Sequence, residues 1–220
     1  MSTPPHLPVV LCSSVVRGAR RHDAHGELWV VDLALQERRR VWVHDDPTIQ
    51  FEGRGGDRGL RGMAIHGERI FVAASRAILE FAYDPSAPRL RLVRTYRSPS
   101  LLHAHEVVMH KGLLWITSTG YDSIIAFHPG QGRFVWGLCV RERQTLEVSE
   151  FDPASPPPPG NTIHLNQLAT DGTALTLSGA RSTRWLRLDG EHVDQIGEVP
   201  LGTHNISPVR GGWIGNDTAR

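Results

Sequence analysis

Residues 101–140 read LLHAHEVVMHKGLLWITSTGYDSIIAFHPGQGRFVWGLCV, and this stretch decides the fold. Four runs of strand length, HEVVMH, LLWITST, SIIAFHP and RFVWGLCV, are separated by the short connectors KG, GYD and GQG. Four antiparallel strands in about forty residues make one blade of a β-propeller, and the same order of signals recurs on both sides of this stretch.

Upstream, GLRGMAIH, ERIFVAAS, AILEFAYD and RLRLVRTY repeat the pattern; downstream, NQLATD, ALTLSG, TRWLRLDG and HVDQIGEVP repeat it again, and NISPVR with WIGNDT begins a further copy. Inner strands beginning at Arg61, His105, Asn166 and Asn205 recur at about forty residues once roughly twenty residues of insertion are set aside. The first segment, VVLCSSVV, ELWVVDL and RRRVWVHD, matches the second, third and fourth strands of a blade and has no first strand. The fold class expected is all-β, a β-propeller of four-stranded antiparallel blades, incomplete at about four and a half blades of a five- or six-bladed ring. Residues 1–220 are read as one domain, with a charged and then proline-rich insertion at about 142–160. Two unpaired edges lead to the expectation of a fragment truncated at its C-terminus; the alternative is a compact ring whose last strands close directly onto the run from Val9 to Ser14.

A net charge of +1 and 40% hydrophobic residues suit a globular chain and argue against a nucleic-acid partner. The Arg-rich runs at 20–21 and 38–40 are short and read as solvated faces. Pro4, Pro5 and Pro8 spoil a signal-peptide helix and no apolar run is long enough to span a membrane, so no membrane partner and a cytoplasmic location are expected. Cys12 and Cys139 both lie in apolar strand runs and are expected to be buried thiols. The Gly-rich loop GRGGDRG at 53–59 lacks the GK[ST] ending of a phosphate-binding loop and is read as an entry loop into the second blade. The six tryptophans are expected to pack between blades.

Polar residues gather at the starts of the inner strands: Arg58 and Arg61, His103, His105 and Glu106, His164, Asn166 and Gln167, and His204 with Asn205. Radial repetition brings such strand starts to one mouth of a central channel, where residues distant in sequence converge. His105 or His103 is the best general base, with Glu106 as an orienting or proton-relay carboxylate and Arg61 stabilising an anionic group; Arg58, Asn166, Gln167 and Asn205 are candidate ligand-binding residues. His103, His164 and His204 could hold one divalent metal ion, although no spacing here is a metal signature. The bland alternative is that these groups cap strand ends by hydrogen-bonding backbone and channel water. The partner expected is a small polar ligand at the channel mouth, possible hydrolase-like chemistry included, or else another protein held by a non-catalytic scaffold.

In LLHAHEVVMHKGLLWITSTGYDSIIAF, IHLNQLA and GTHNISPVRGGWIGNDT the chain resembles a bacterial family of β-propeller proteins related in form to NHL-repeat and SMP-30/gluconolactonase-like propellers. The resemblance runs from about Val9 to Thr218 and implies a propeller with a polar channel mouth. In gluconolactonase-like enzymes channel carboxylates and asparagines hold a divalent metal, for which the resemblance offers Glu106, Asn166 and Asn205. The His-rich set departs from that pattern.

Overall fold

The computed structural model describes residues 9–16, 18–51, 57–84, 89–190 and 192–217; the proline-marked N-terminus and most of the loop at 53–59 lie outside them. Five antiparallel sheets follow one another along the chain. The first holds Val9–Val15 (β1), Gly26–Asp32 (β2) and Glu37–His44 (β3), and the second Leu60–His66 (β4), Arg69–Ala74 (β5), Ala77–Asp84 (β6) and Arg89–Arg97 (β7). The third holds Ala104–His110 (β8), Leu113–Ser118 (β9), Ser123–His128 (β10), Arg133–Glu142 (β11) and Leu146–Phe151 (β12). Leu165–Thr170 (β13), Leu175–Gly179 (β14), Arg184–Asp189 (β15) and His192–Glu198 (β16) form the fourth, and Thr203–Val209 (β17) with Gly212–Asp217 (β18) the last. This is the expected propeller, and it is open.

Strand direction shows where the ring opens. In each four-stranded repeat the inner strand begins where the second strand ends, as in the pairs Leu60 with Ala74, Ala104 with Ser118 and Leu165 with Gly179. At that level β1 ends rather than begins. A Cβ on Gly59 would lie 2.5 Å from the Val15 side chain, and the Ser13 hydroxyl donates to the Arg61 carbonyl at 2.5 Å. β1 therefore runs opposite to β4 and takes the second place of its blade. Among the described residues no strand fills the inner place, and no pairing joins β1 to β17 or β18.

The core lies in the wedges between blades. Along β10, Ile124 faces the fourth sheet in a cluster with Leu165, Leu177 and Leu186, while Ile125 faces the second in a cluster with Phe71, Ile78 and Leu114. The period-2 alternation of a strand thus serves two wedges at once, which explains why central strands such as SIIAFH are apolar on both faces and why LTLSG is buried on both, Thr176 and Ser178 included. Aromatic rings lock these wedges edge to face: Trp42 against Phe81 at 5.1 Å and Trp185 against Trp213 at 4.4 Å, between centroids. Trp115 and Trp136 also pack against the wedge of the third and fourth sheets, whereas the contacts of Trp29, to Glu27 and Arg38, stay within its own sheet. Cys139 is buried, but Cys12 is exposed, contrary to expectation, because no inner strand covers β1.

The insertion is also corrected in part. Leu146, Val148 and Phe151 are spaced so that the run pairs with β11, from Glu142 opposite Leu146 to Gly137 opposite Phe151, and becomes a fifth strand at the rim. Gly137 leaves room for the Phe151 ring, which a Cβ would strike. Residues 152–160 then return from rim to channel as a strap over the third blade. Ser100 donates to the Pro153 carbonyl at 2.7 Å, Arg141 donates to the Pro158 carbonyl, and the Gly160 N–H donates to the Gly120 carbonyl at 3.0 Å. Among the described residues no helix is long and apolar enough to cross a membrane.

Candidate functional site

Every inner strand carries the same two backbone irregularities at its start. The residue just before the first pair is left-handed in all four: Gly59 (φ 91°), His103 (φ 55°), His164 (φ 56°) and Gly202 (φ 88°). Glycine adopts this conformation freely, whereas a side chain costs roughly 1–2 kcal/mol. A register shift follows, between Leu60 and Met63, Ala104 and Val107, Leu165 and Gln167, and His204 and Ser207. A bulge re-aims the side chains within it. Arg61, His105, Glu106, Asn166 and Asn205 are those side chains, so half of the ten residues singled out in the sequence are ones the backbone turns out of the sheet's regular alternation.

Pairing also corrects one equivalence. Thr203 pairs with Asp217 as Ala104 pairs with Ser118, which puts His204, rather than Asn205, in register with His105 and Asn166. Asn205 is left-handed (φ 53°) and exposed. Gly62, beside Arg61, brings β4 against the backbone of β8: a Cβ there would lie 2.6 Å from the Val107 nitrogen.

These elements enclose a cavity of about 730 Å³ lined by Arg58, Arg61, His103, His105, Glu106, Asn161, His164, Gln167, His204 and Asn205, with Ser13 and Ser14 from the open end. Asn166 is fully buried behind it, its amide donating to His204 Nδ1 at 2.6 Å, which makes it a support for His204 rather than a ligand contact. Gln167 donates to the Ile206 carbonyl at 2.5 Å and ties β13 to β17. Arg58 donates to the carbonyls of Phe51 at 2.7 Å and Ala19 at 3.5 Å, holding the first blade to the second.

The imidazoles are held in different ways. His105 Nδ1 lies 3.3 Å from Glu106 Oε1, and the His105 and His204 rings are 6.3 Å apart. His164 Nδ1 lies 2.8 Å from Asn161 Oδ1. Burial, with the nearby charge of Arg181 and the rings of His105 and His204, lowers the His164 pKa to about 4. Burial and His105 also lower that of His204, against the raising effect of Glu106. Burial favours the neutral form of both rings; with the His164 Nδ1 donating to Asn161 and the His204 Nδ1 accepting from Asn166, Nε2 is left as an acceptor on His164 and as a donor on His204. His103 is held from another side of the cavity, its Nδ1 3.3 Å from Asp57 Oδ1. Among the described residues no group of three His, Cys, Asp or Glu side chains is placed to hold a metal ion.

Two buried carboxylates at the mouth were missed in the sequence. Asp122, fully buried, accepts from the Thr162 hydroxyl at 3.0 Å and from the Ile163 and Leu165 N–H groups at 3.3 and 3.1 Å, fixing the start of β13. Asp57 accepts from Ser75 Oγ at 2.5 Å and from Arg76 Nε at 2.6 Å.

No protein-family model and no curated protein matches the chain. Solved structures do. A putative 6-phosphogluconolactonase from Bacteroides uniformis aligns with a TM-score of 0.53 at 11% identity, over 89% of this chain and 56% of that one. A virginiamycin B lyase from Staphylococcus aureus aligns at 0.51 and 10%, over 82% and 56%. The chain thus spans just over half the length of each of these two. A glutaminyl cyclase from Myxococcus xanthus aligns over 93% of this chain and 90% of its own at 15% identity, with a TM-score of 0.47. At these identities the likeness is one of fold.

Proposed function

We propose that the channel mouth binds a small, hydroxyl-rich polar molecule and that the His105–Glu106 pair can exchange a proton with it. The observation that carries this reading is the shared cavity that Arg61, His105, Glu106 and Asn205 line from the bulges of three inner strands and the left-handed His103 and His164 line beside them. An Nε2 acceptor on His164 and an Nε2 donor on His204 together suit hydroxyl groups, which donate and accept, and Glu106 adds an acceptor. His105 within reach of a carboxylate is the arrangement general acid–base transfer needs. The proton exchange needs no metal ion, and among the described residues no three His, Cys, Asp or Glu side chains are grouped to hold one.

The test is a titration with polyols, hydroxy acids and sugar lactones, followed by imidazole ¹⁵N shifts and calorimetry. Lactones belong in the panel because of the lactonase name carried by one structural neighbour. We expect at least one class to bind at the mouth, and Glu106→Gln and His204→Ala to weaken it by about tenfold or more, the effect of losing one hydrogen bond to a polar ligand. A panel that moves no resonance, or variants that bind as the parent does, would sink the reading. Exposed Val209, Trp213 and Ile214 on the last sheet are the feature that favours a protein-binding scaffold instead.

A further inference from the structure

We infer that His103 is a proton acceptor aimed into the cavity, and that Asp57 is the positioning residue that aims it. The inference deepens the reading of the mouth as a ligand site and rests on it for the proton's source; the orientation of the ring does not depend on it.

The geometry is that of a buried carboxylate behind an imidazole. The Asp57 side chain is fully buried, and that of His103 is 35% exposed and lines the cavity. Oδ1 of Asp57 takes the Ser75 hydroxyl and faces His103 Nδ1, while Oδ2 takes Arg76 Nε. Burial works to raise the Asp57 pKa; hydrogen bonds from His103, Ser75 and Arg76 and the charge of Arg76 more than offset it, and hold the carboxyl well below the usual carboxylate range. An ionised acceptor with two other donors fixed upon it leaves Nδ1 as the ring nitrogen that carries hydrogen. Ser75 Oγ, 3.4 Å from Nδ1, is committed as a donor to Asp57 and so offers Nδ1 only a lone pair, which favours the same tautomer. The Nε2 lone pair is therefore left on the cavity side.

The chemistry follows. Nε2 takes a proton from an O–H group of the ligand or of a water beside it; Nδ1 keeps its hydrogen, and the imidazolium charge is balanced by the adjacent carboxylate, which does not itself take a proton. The proton returns to the product oxygen or to solvent. The equivalent position in the next blade shows what the carboxylate adds. His164 has the same left-handed backbone, but its Nδ1 meets the Asn161 amide, which orients a ring without balancing a positive charge. His103 is thus fitted to take a proton and His164 to hydrogen-bond as a neutral ring. A histidine where two sister strands carry glycine, backed by a carboxylate from a separate loop, is a local strain that ring packing alone does not call for.

The experiment is a long-range ¹H–¹⁵N imidazole spectrum of the ligand-free protein at pH 8, assigned with His103→Gln. We expect His103 as the Nδ1–H tautomer; finding Nε2–H overturns the proposal. The rate of acylation by diethyl pyrocarbonate, read residue by residue by mass spectrometry, gives a second measure. Asp57→Asn should slow acylation of His103 by about tenfold or more by disturbing its tautomer, and leave His105 unchanged. An unchanged His103 rate also overturns the proposal. If Asp57→Asn fails to fold, Ser75→Ala and the parent spectrum decide. A ligand panel without effect defeats the binding reading, whereas the wrong tautomer defeats this one whatever binds.

Discussion

Cys139 lies in the middle of the ring and Cys12 at its open end, and the two thiols meet different surroundings. Cys139 is 3% exposed, on a strand flanked by β10 and β12 and packed through Leu138 and Val140 against the fourth sheet; Cys12 is exposed on β1, which has no inner neighbour among the described residues. A blade face is buried only by the blade or strand beside it, so an apolar run is a requirement for burial and not a guarantee of it. The last sheet tells the same story, with Ile214 62% exposed while Ile124 of a central strand is fully buried.

The sharpest way to break this contrast is thiol chemistry. Cys12 should react with a maleimide at a rate close to that of a free thiol. Cys139, whose pKa is raised by burial, should react at least about a thousandfold more slowly, limited by opening of the fold. Comparable rates, read by intact mass, would mean that the middle of the ring is no better packed than its end. Next in size is truncation of matched hydrophobics. Phe127→Ala, in the wedge between the second and third sheets, should lower the unfolding free energy by about 3–5 kcal/mol, and Ile214→Ala at the edge by roughly 0.5 kcal/mol or less, measured by urea denaturation.

Acid should then act on the first blade. The His25 and His44 rings meet edge to face at 4.6 Å, and His25 Nδ1 accepts the Gly59 N–H at 3.0 Å. Burial and the His25 ring lower the His44 pKa to about 4, while Asp46 and Asp45 oppose them; burial likewise lowers that of His25. A histidine whose folded pKa lies below its unfolded value of about 6.5 contributes stability that is present above pH 6.5 and is lost as the pH falls toward 4. The urea midpoint should therefore fall across that window, and His44→Gln should flatten part of the fall. An unchanged slope in the variant would remove His44 from the account. His25, buried His110 and half-buried His164 and His204, whose pKa values burial also lowers, contribute to the remainder.

Strand order was legible because each blade announces itself locally, through apolar alternation and connectors too short for anything but a hairpin. β12 was not, because the proline run that follows LEVSEF dominated the reading of the whole segment, although its Leu146 and Val148 keep a strand's alternation. The mouth residues were found from their recurrence at inner-strand starts. Asp122 and Asp57 were missed for a physical reason: Asp122 looks like an ordinary turn residue after Tyr121, and its donors lie some forty residues downstream. Asp57 sits in a glycine-rich loop with no local sign that Ser75 and Arg76 will close on it. Nor does spacing alone separate His204 from Asn205, since a bulge shifts register by one residue.

The strap at 152–160 has a consequence of its own. It ends at Asn161, which holds the His164 ring and whose carbonyl is fixed by Arg181 at 2.9 Å, yet it belongs to no repeat. The mouth is thus furnished partly by a segment that can be lengthened, shortened or exchanged while every wedge of the scaffold stays as it was. Such a segment is a natural place for related proteins to diverge in what they recognise, one partner residue at a time, without refolding the frame that presents it.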